Sequence, residues 1–536
     1  MRVETSRAIS RNCRRFIIKL STWKDGSMNR LVAKLLLLAT AMLVLFSTAA
    51  CGSGNQDESA HNGNKNGSEL EKEITLKFYF GGEKKAATDE IWSEVSRYVK
   101  KQGLNVKFDI NFIPFSEYKE KMLAMAAAGD TWDMNFDADW LSYKLIAAKG
   151  SYMALNELLP KYAPNLLRKY KEQGTLSAAT VNGQIVGLPW TMKMNERKFA
   201  GWRVDLAEKA GLSIEPDSIQ TIEDVDWLLR ELKKAYPNEK LNRTPPLSLF
   251  FSREEWVDIN FHGLGFYLND PEIKVRAVEQ QPFYLESAKL SKVWYDDRLI
   301  NRDAIIDKGD ASLQWKNGKS MFTITSHEWA NADPGFVDPT YKQGMSLLYP
   351  DKKFVNRSSI ANVVAINRNS KNPDRVLRFL DMLETDRTLY DLVLYGIEGK
   401  TYLLNGEAAD YPEGMQTSSS NYMEWGGQWA FWKPQFMRPT STYGENFWVK
   451  EEEFANEPIN VTSPLDGLFI AEDGMEDELA RRDQLGEEYG RSIEYGTVVD
   501  VEQSVKEYIE LNKNNGLSKI LARTQAIVDE YLASKR

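Results

Sequence analysis

Ile74-Thr75-Leu76-Lys77-Phe78-Tyr79-Phe80 alternates apolar with other side chains, is rich in β-formers, and runs into Gly81-Gly82. Period two closed by glycine predicts a strand. Ile91, Trp92, Val95 and Val99 then recur at helical spacing, and Val106-Lys107-Phe108-Asp109-Ile110-Asn111-Phe112 reads as a second strand. Ser116 through Ala128 predicts a helix stopped by Gly129, a residue that accepts the left-handed conformation of a helix end. Trp132-Asp133-Met134-Asn135-Phe136 predicts a third strand, and Asp139 to Ala148 a third helix ended at Gly150. Strand and helix alternating at this spacing imply βαβ units and a parallel sheet, hence an α/β fold.

The same grammar continues downstream. Helices are expected over Val204 to Ala210 and Ile222 to Ala235, and strands over Ser320 to Thr325, Met345 to Tyr349 and Asn362 to Ile366. Pro373 to Leu383 has proline in a first helical turn, and Arg387 to Leu394 follows as a further helix. A helical region from Val501 to Arg536 is interrupted near Asn514-Asn515-Gly516.

Upstream of the first strand the chain changes character. Met28-Asn29-Arg30-Leu31-Val32-Ala33-Lys34 is basic, Leu35 to Phe46 is apolar, and Ser47-Thr48-Ala49-Ala50-Cys51-Gly52-Ser53 is small. That order is the order of an export signal, and the apolar run is too short for a stable membrane span. Thr48-Ala49-Ala50-Cys51 resembles the bacterial lipobox, with Thr48 where leucine is usual. The expectation is cleavage before Cys51 and lipid on its thiol. Residues 1–27 are expected to be a mis-annotated upstream extension, with translation starting at Met28, and 28–50 a lipoprotein signal peptide. Residues 51–73 are expected to form a lipidated flexible tether, because they carry almost no apolar side chains to bury.

Composition narrows the functional classes. The chain has 536 residues, 42% hydrophobic and 11% aromatic, enough for a sizeable core. A net charge of -9 argues against a phosphate-binding surface and hence against nucleic acid. Both cysteines, Cys13 and Cys51, precede the expected fold, and His61, His262 and His327 are scattered, so neither a disulfide nor a metal site is expected. No cofactor is expected: there is no Walker loop and no dinucleotide-binding glycine turn, just as there is no nucleophile elbow and no HExxH.

Several short motifs then fall in a telling order. They are Ala127-Ala128-Gly129-Asp130-Thr131-Trp132-Asp133, Asn182-Gly183-Gln184-Ile185-Val186-Gly187-Leu188-Pro189 and Gly318-Lys319-Ser320-Met321. Together with the lipobox they resemble the family 1 extracellular solute-binding proteins of bacterial ABC importers, the maltose-binding-protein-like group. Asn372-Pro373-Asp374-Arg375, Tyr395-Gly396-Ile397-Glu398-Gly399-Lys400-Thr401-Tyr402 and Ser463-Pro464-Leu465-Asp466-Gly467-Leu468-Phe469 are similar to the LipO-type lipoproteins of Gram-positive soil bacteria.

The resemblance implies a two-lobed periplasmic-binding-protein-like (type II) fold over 74–536, with hinge strands and an interlobe cleft. Lobe 1 would take about 74–188 and about 362–400, and lobe 2 about 189–361 with part of 401–536. It also implies a monomer on the extracellular face of the cell membrane, held by its lipid and handing a small solute to permease subunits. An oligosaccharide is the expected solute, because sugar C–H faces stack on aromatic rings while hydroxyls bond carboxylates and amides. Candidate ligand residues are Glu83 at the end of the first strand, Trp132 and Asp133 beside the third, Trp190 at the lobe crossing, Trp329 after the strand ending at Thr325, and Trp425 and Trp429 in the densest aromatic run. Two other readings stay open: a secreted carbohydrate-active enzyme using paired carboxylates, and a lipoprotein that senses without transporting.

Overall fold

The computed structural model describes residues 72–215, 217–307, 314–315, 317–325, 338, 340–416, 419–441 and 446–535. The export segment, Cys51, His327 and Trp329 lie outside the described residues. The opening strand is present as β1 (Ile74–Gly81), followed by α1 (Thr88–Lys101), β2 (Val106–Ile113), α2 (Phe115–Ala128), β3 (Met134–Asp137) and α3 (Tyr143–Ala148). Gly129 ends α2 in the left-handed conformation at φ 75°. Helix α3 starts later than expected. Asp137 Oδ1 accepts the amides of Ala138 and Ser142 at 2.9 and 3.1 Å, and this side-chain competition holds 138–142 as a loop.

Further along come β4 (Leu188–Pro189), β5 (Phe199–Arg203), α4 (Ile222–Ala235), β6 (Trp256–Phe261), β7 (Leu264–Tyr267), β8 (Arg276–Ala277) and α5 (Pro282–Asp296). Then β9 (Phe322–Thr325), β10 (Gln343–Leu347), β11 (Phe354–Val355), β12 (Val363–Ile366), α6 (Pro373–Thr385) and α7 (Arg387–Leu394) follow. The chain closes with α8 (Phe447–Ala455), β13 (Asn460–Val461), α9 (Glu476–Leu485), α10 (Val501–Asn514) and α11 (Leu517–Ser534). Thr221 caps α4 through a reciprocal pair. Asp224 N donates to Thr221 Oγ1 at 3.2 Å, and Thr221 N to Asp224 Oδ2 at 2.9 Å.

The first sheet has the order β2-β1-β3-β12-β4. Strands β2, β1 and β3 are parallel, as βαβ spacing requires, whereas β12 runs antiparallel to both β3 and β4. The sheet is therefore mixed, not wholly parallel: β12 returns from a separate body and enters from the opposite end. Its core buries Phe78, Phe80, Ile91 and Trp92 together with Val363 to Ile366, Leu380, Tyr422 and Trp425. Each large apolar side chain buried here contributes about 1.5–3 kcal/mol.

A second sheet, β9-β5-β10, is antiparallel and carries its own core with Trp202, Leu228, Leu229, Trp294 and Phe322. The meander β6-β7-β8 packs on the C-terminal helices, where Leu264, Phe266, Leu479, Ile520 and Val528 form a further core. These two α/β bodies are the lobes of a periplasmic-binding-protein-like fold. The chain passes between them after β4, after β10 and after α8, and β11 pairs with β13 where the last two passages meet.

Candidate functional site

The C-terminal ends of β1, β2 and β3 form one edge, and open α/β sheets bind ligands at such edges. They carry Gly81-Gly82-Glu83, Pro114-Phe115 and Asp137-Ala138-Asp139-Trp140. Glycine is required here by close approach. A Cβ on Gly81 would sit 2.3 Å from Phe115 Cε1, and one on Gly426 would sit 1.8 Å from the Gly81 carbonyl oxygen. Without those side chains, the distant 425–429 segment lies directly on the strand end.

The result is an aromatic shelf. The Trp429 ring stacks on Phe115 with centroids 5.5 Å apart and planes at 18°. Trp140 lies 6.2 Å from Phe115 and is 49% exposed, and its Nε1 donates to the Ala361 carbonyl at 2.8 Å. An indole held at one end with its face half open to solvent offers an apolar surface to a sugar ring. Glu83 is exposed beside the shelf and can accept hydroxyl groups.

The loop bearing Trp140 is held from below. Besides its two amide donors, Asp137 accepts Ser142 Oγ at 3.1 Å and the hydroxyl of Tyr152. Burial pushes the Asp137 carboxyl up to about 6, against the downward pull of those donors. Ionisable groups gather on both sides of the nearby chain passages. Burial raises the Asp139 carboxyl and lowers the Lys144 and Lys198 ammoniums. Arg357 Nε donates to Glu196 at 2.9 Å. Among the described residues, neither the Lys144 nor the Lys198 ammonium has a hydrogen-bond or salt-bridge partner, so these side-chain donors are unspent.

The residues singled out from sequence divide sharply. Trp429 and Glu83 reach the shelf edge. Trp425 is 1% exposed, packs against Phe80 at 4.9 Å and donates to the Val393 carbonyl at 3.1 Å. Trp132 is 2% exposed and donates to Asn135 Oδ1 at 2.8 Å. Asp133 is buried and accepts Lys77 N at 2.8 Å and Ser370 Oγ at 2.6 Å. Both stand at the N-terminal end of β3, away from the shelf. Trp190 is 2% exposed and stacks on Trp432 at 6.3 Å beneath the first passage. Phe115, Trp140, Asp139 and Lys144 were not anticipated. The signal for Trp140 was available, since Asp139-Trp140 stands one residue beyond the C-terminal end of β3.

Two α/β lobes joined by three passages, with an aromatic shelf on one inner strand edge, define the class of two-lobed solute receptors. The chain belongs to the bacterial extracellular solute-binding protein family, which matches residues 82–388. Residues 467–533 match a domain of unknown function, DUF3502. A carbohydrate ABC transporter substrate-binding protein of Streptococcus pneumoniae is 24% identical over 523 residues, covering 93% of this chain and 98% of that protein. The N-glycan transport solute binding protein NgtS of Streptococcus pneumoniae superposes with a TM-score of 0.71 at 20% identity, over 86% of this chain and 100% of that one. The alginate-binding protein AlgQ2 superposes with a TM-score of 0.58 at 19% identity, over 85% of this chain and 98% of that one. These likenesses establish the fold. Among the described residues, no helix is long and apolar enough to cross a membrane.

Proposed function

We propose that this chain is a lipid-anchored receptor that captures an oligosaccharide outside the cell and passes it unchanged to the permease of an ABC importer. The Phe115–Trp140–Trp429 shelf carries the reading, because the half-exposed Trp140 ring beside the partly buried, stacked Phe115 and Trp429 suits the C–H faces of sugar units. Glu83, Asp139, Lys144 and Lys198 supply acceptors and donors for hydroxyls. A solute touching both lobes favours the closed arrangement, which the permease recognises. The carbohydrate and N-glycan transport roles of the similar proteins point the same way. Anchoring through Cys51 rests on the lipobox, and the two acyl chains of a diacylglycerol suffice for stable attachment. We take the receptor to act as a monomer.

The test is a thermal-shift series against neutral and acidic oligosaccharides, since a ligand bound only by the native state raises the melting temperature. At least one should raise it, and Trp140→Ala should abolish the shift. Turnover of the sugar would replace transport with an enzymatic role. No shift with any carbohydrate at millimolar concentration would overturn the proposal.

A further inference from the structure

Residues 467–533 match a domain of unknown function, and their contacts suggest what they do here. One end is fixed to the second lobe. Arg482 donates to both carboxylate oxygens of Glu279 at 2.7 and 2.9 Å, to Asn512 Oδ1 at 2.7 Å and to the His262 carbonyl at 2.6 Å. Every partner but Asn512 belongs to the β6-β7-β8 region, and Glu279 is fully buried. A guanidinium so completely satisfied holds one geometry.

The other end grips the passages between the lobes. Tyr531, near the end of α11, donates its hydroxyl to the Asp466 carbonyl, and Lys535 Nζ donates to the same oxygen at 3.1 Å. The Asp466 carboxylate accepts Ser358 Oγ at 3.0 Å, Ser359 N at 3.0 Å and Ser359 Oγ at 2.6 Å, all on the passage that follows β10. Directly after it, Gly467 at φ 84° lies against the first lobe: a Cβ there would come 2.4 Å from Ala178 Cα. The neighbouring Leu465 and Leu468 are buried in the core shared by the meander and α11. The Asp466-Gly467 corner thus touches both lobes and a passage at once, and α11 holds it.

We infer that residues 467–533 are a hinge brace: riveted to the second lobe by Arg482, they fix the Asp466-Gly467 corner and so limit how the Ser358-Ser359 passage bends as the lobes open and close. Asp466 is a positioning residue in this device. The effect extends to the cleft, because Asp139 N donates to the Ile360 carbonyl at 3.0 Å, next along the same passage. The inference rests on the two-lobed fold and not on which solute binds.

Hydrogen exchange on the full chain, with no sugar present, tests it. Tyr531→Phe removes one hydroxyl and should accelerate exchange across 357–361 by about tenfold, the scale of one lost hydrogen bond. Asp466→Ala should accelerate it further, beginning at the Ser359 amide. Strands β1 and β5 should keep wild-type protection in both variants. Lys519→Met, which breaks only the exposed Lys519–Glu478 pair on the same helix, should change nothing at 357–361. Wild-type protection of 357–361 in the Tyr531 variant would overturn the inference, and so would equal acceleration by Lys519→Met. If Asp466→Ala fails to fold, Tyr531→Phe still decides. Because no solute is added, failure here is separable from failure of the oligosaccharide reading.

Discussion

Asn195 Nδ2 donates to Asn460 Oδ1 at 2.7 Å and to Asn356 Oδ1 at 3.2 Å, so one buried asparagine from each passage between the lobes meets the other two. Asn356 Nδ2 in turn donates to the Ala455 carbonyl at 3.0 Å. Low local dielectric makes such a network strong when complete and costly when broken. Asn195→Ala strands two buried acceptors and should lower stability by about 1–3 kcal/mol. A shift of the urea midpoint at unchanged slope measures it.

Trp140 and Trp425 should respond oppositely to truncation. Trp140→Ala removes a half-exposed ring and should cost under about 1 kcal/mol of stability. Its effect belongs on affinity: an oligosaccharide that binds the wild type should bind at least about tenfold more weakly, which isothermal calorimetry reads directly. Trp425→Ala empties a packed core and should cost about 3–5 kcal/mol. Equal loss of stability in the two variants would contradict the placement of Trp140 at an open face.

Burial lifts Asp137 to about 6 from an ordinary 3.8. The native chain therefore binds a proton between those values that the unfolded chain does not. This group's contribution favours folding fully below the unfolded value and is lost as pH rises through about 6, worth roughly 3 kcal/mol at most. Asp137→Asn lacks the titration. The wild type should thus gain stability relative to the variant between about pH 7 and about pH 4, measured as paired urea midpoints.

Cys51→Ser removes the thiol proposed to carry the lipid. The variant should leave the membrane fraction for the medium, and mass spectrometry of the wild type should show an acylated amino-terminal cysteine. Full membrane retention of the serine variant would refute the anchor.

Much of the fold could be read from pattern alone. The β1-to-α2 stretch announces itself through period two, helical spacing and Gly129, because each of these signals is local. Strand β5, Phe199–Arg203, went unread since it is buried along its whole length and shows no alternation. The strand over Asn362 to Ile366 was expected, but its antiparallel direction was not, because direction is set by where the chain returns from and not by its residues. At the site, aromatic density found Trp429, whose glycine neighbours permit exposure. It also proposed Trp425, a few residues earlier, which the same glycines let sink into the core. Side-chain type cannot separate two indoles that differ only in the direction a tight backbone turns them. Trp132 and Asp133 were placed at a strand end, but at the end opposite the shelf.

Each ring of the shelf comes from a separate stretch of chain: Phe115 opens a helix, Trp140 rides a strand-end loop, and Trp429 arrives from a segment hundreds of residues later. None shares a backbone neighbour with another. Trp140 and Trp429 each pack on Phe115 from a separate stretch of chain, so either outer ring can be exchanged without altering the backbone that carries the other. Evolution can retune such a surface piecemeal, without rebuilding the architecture beneath it.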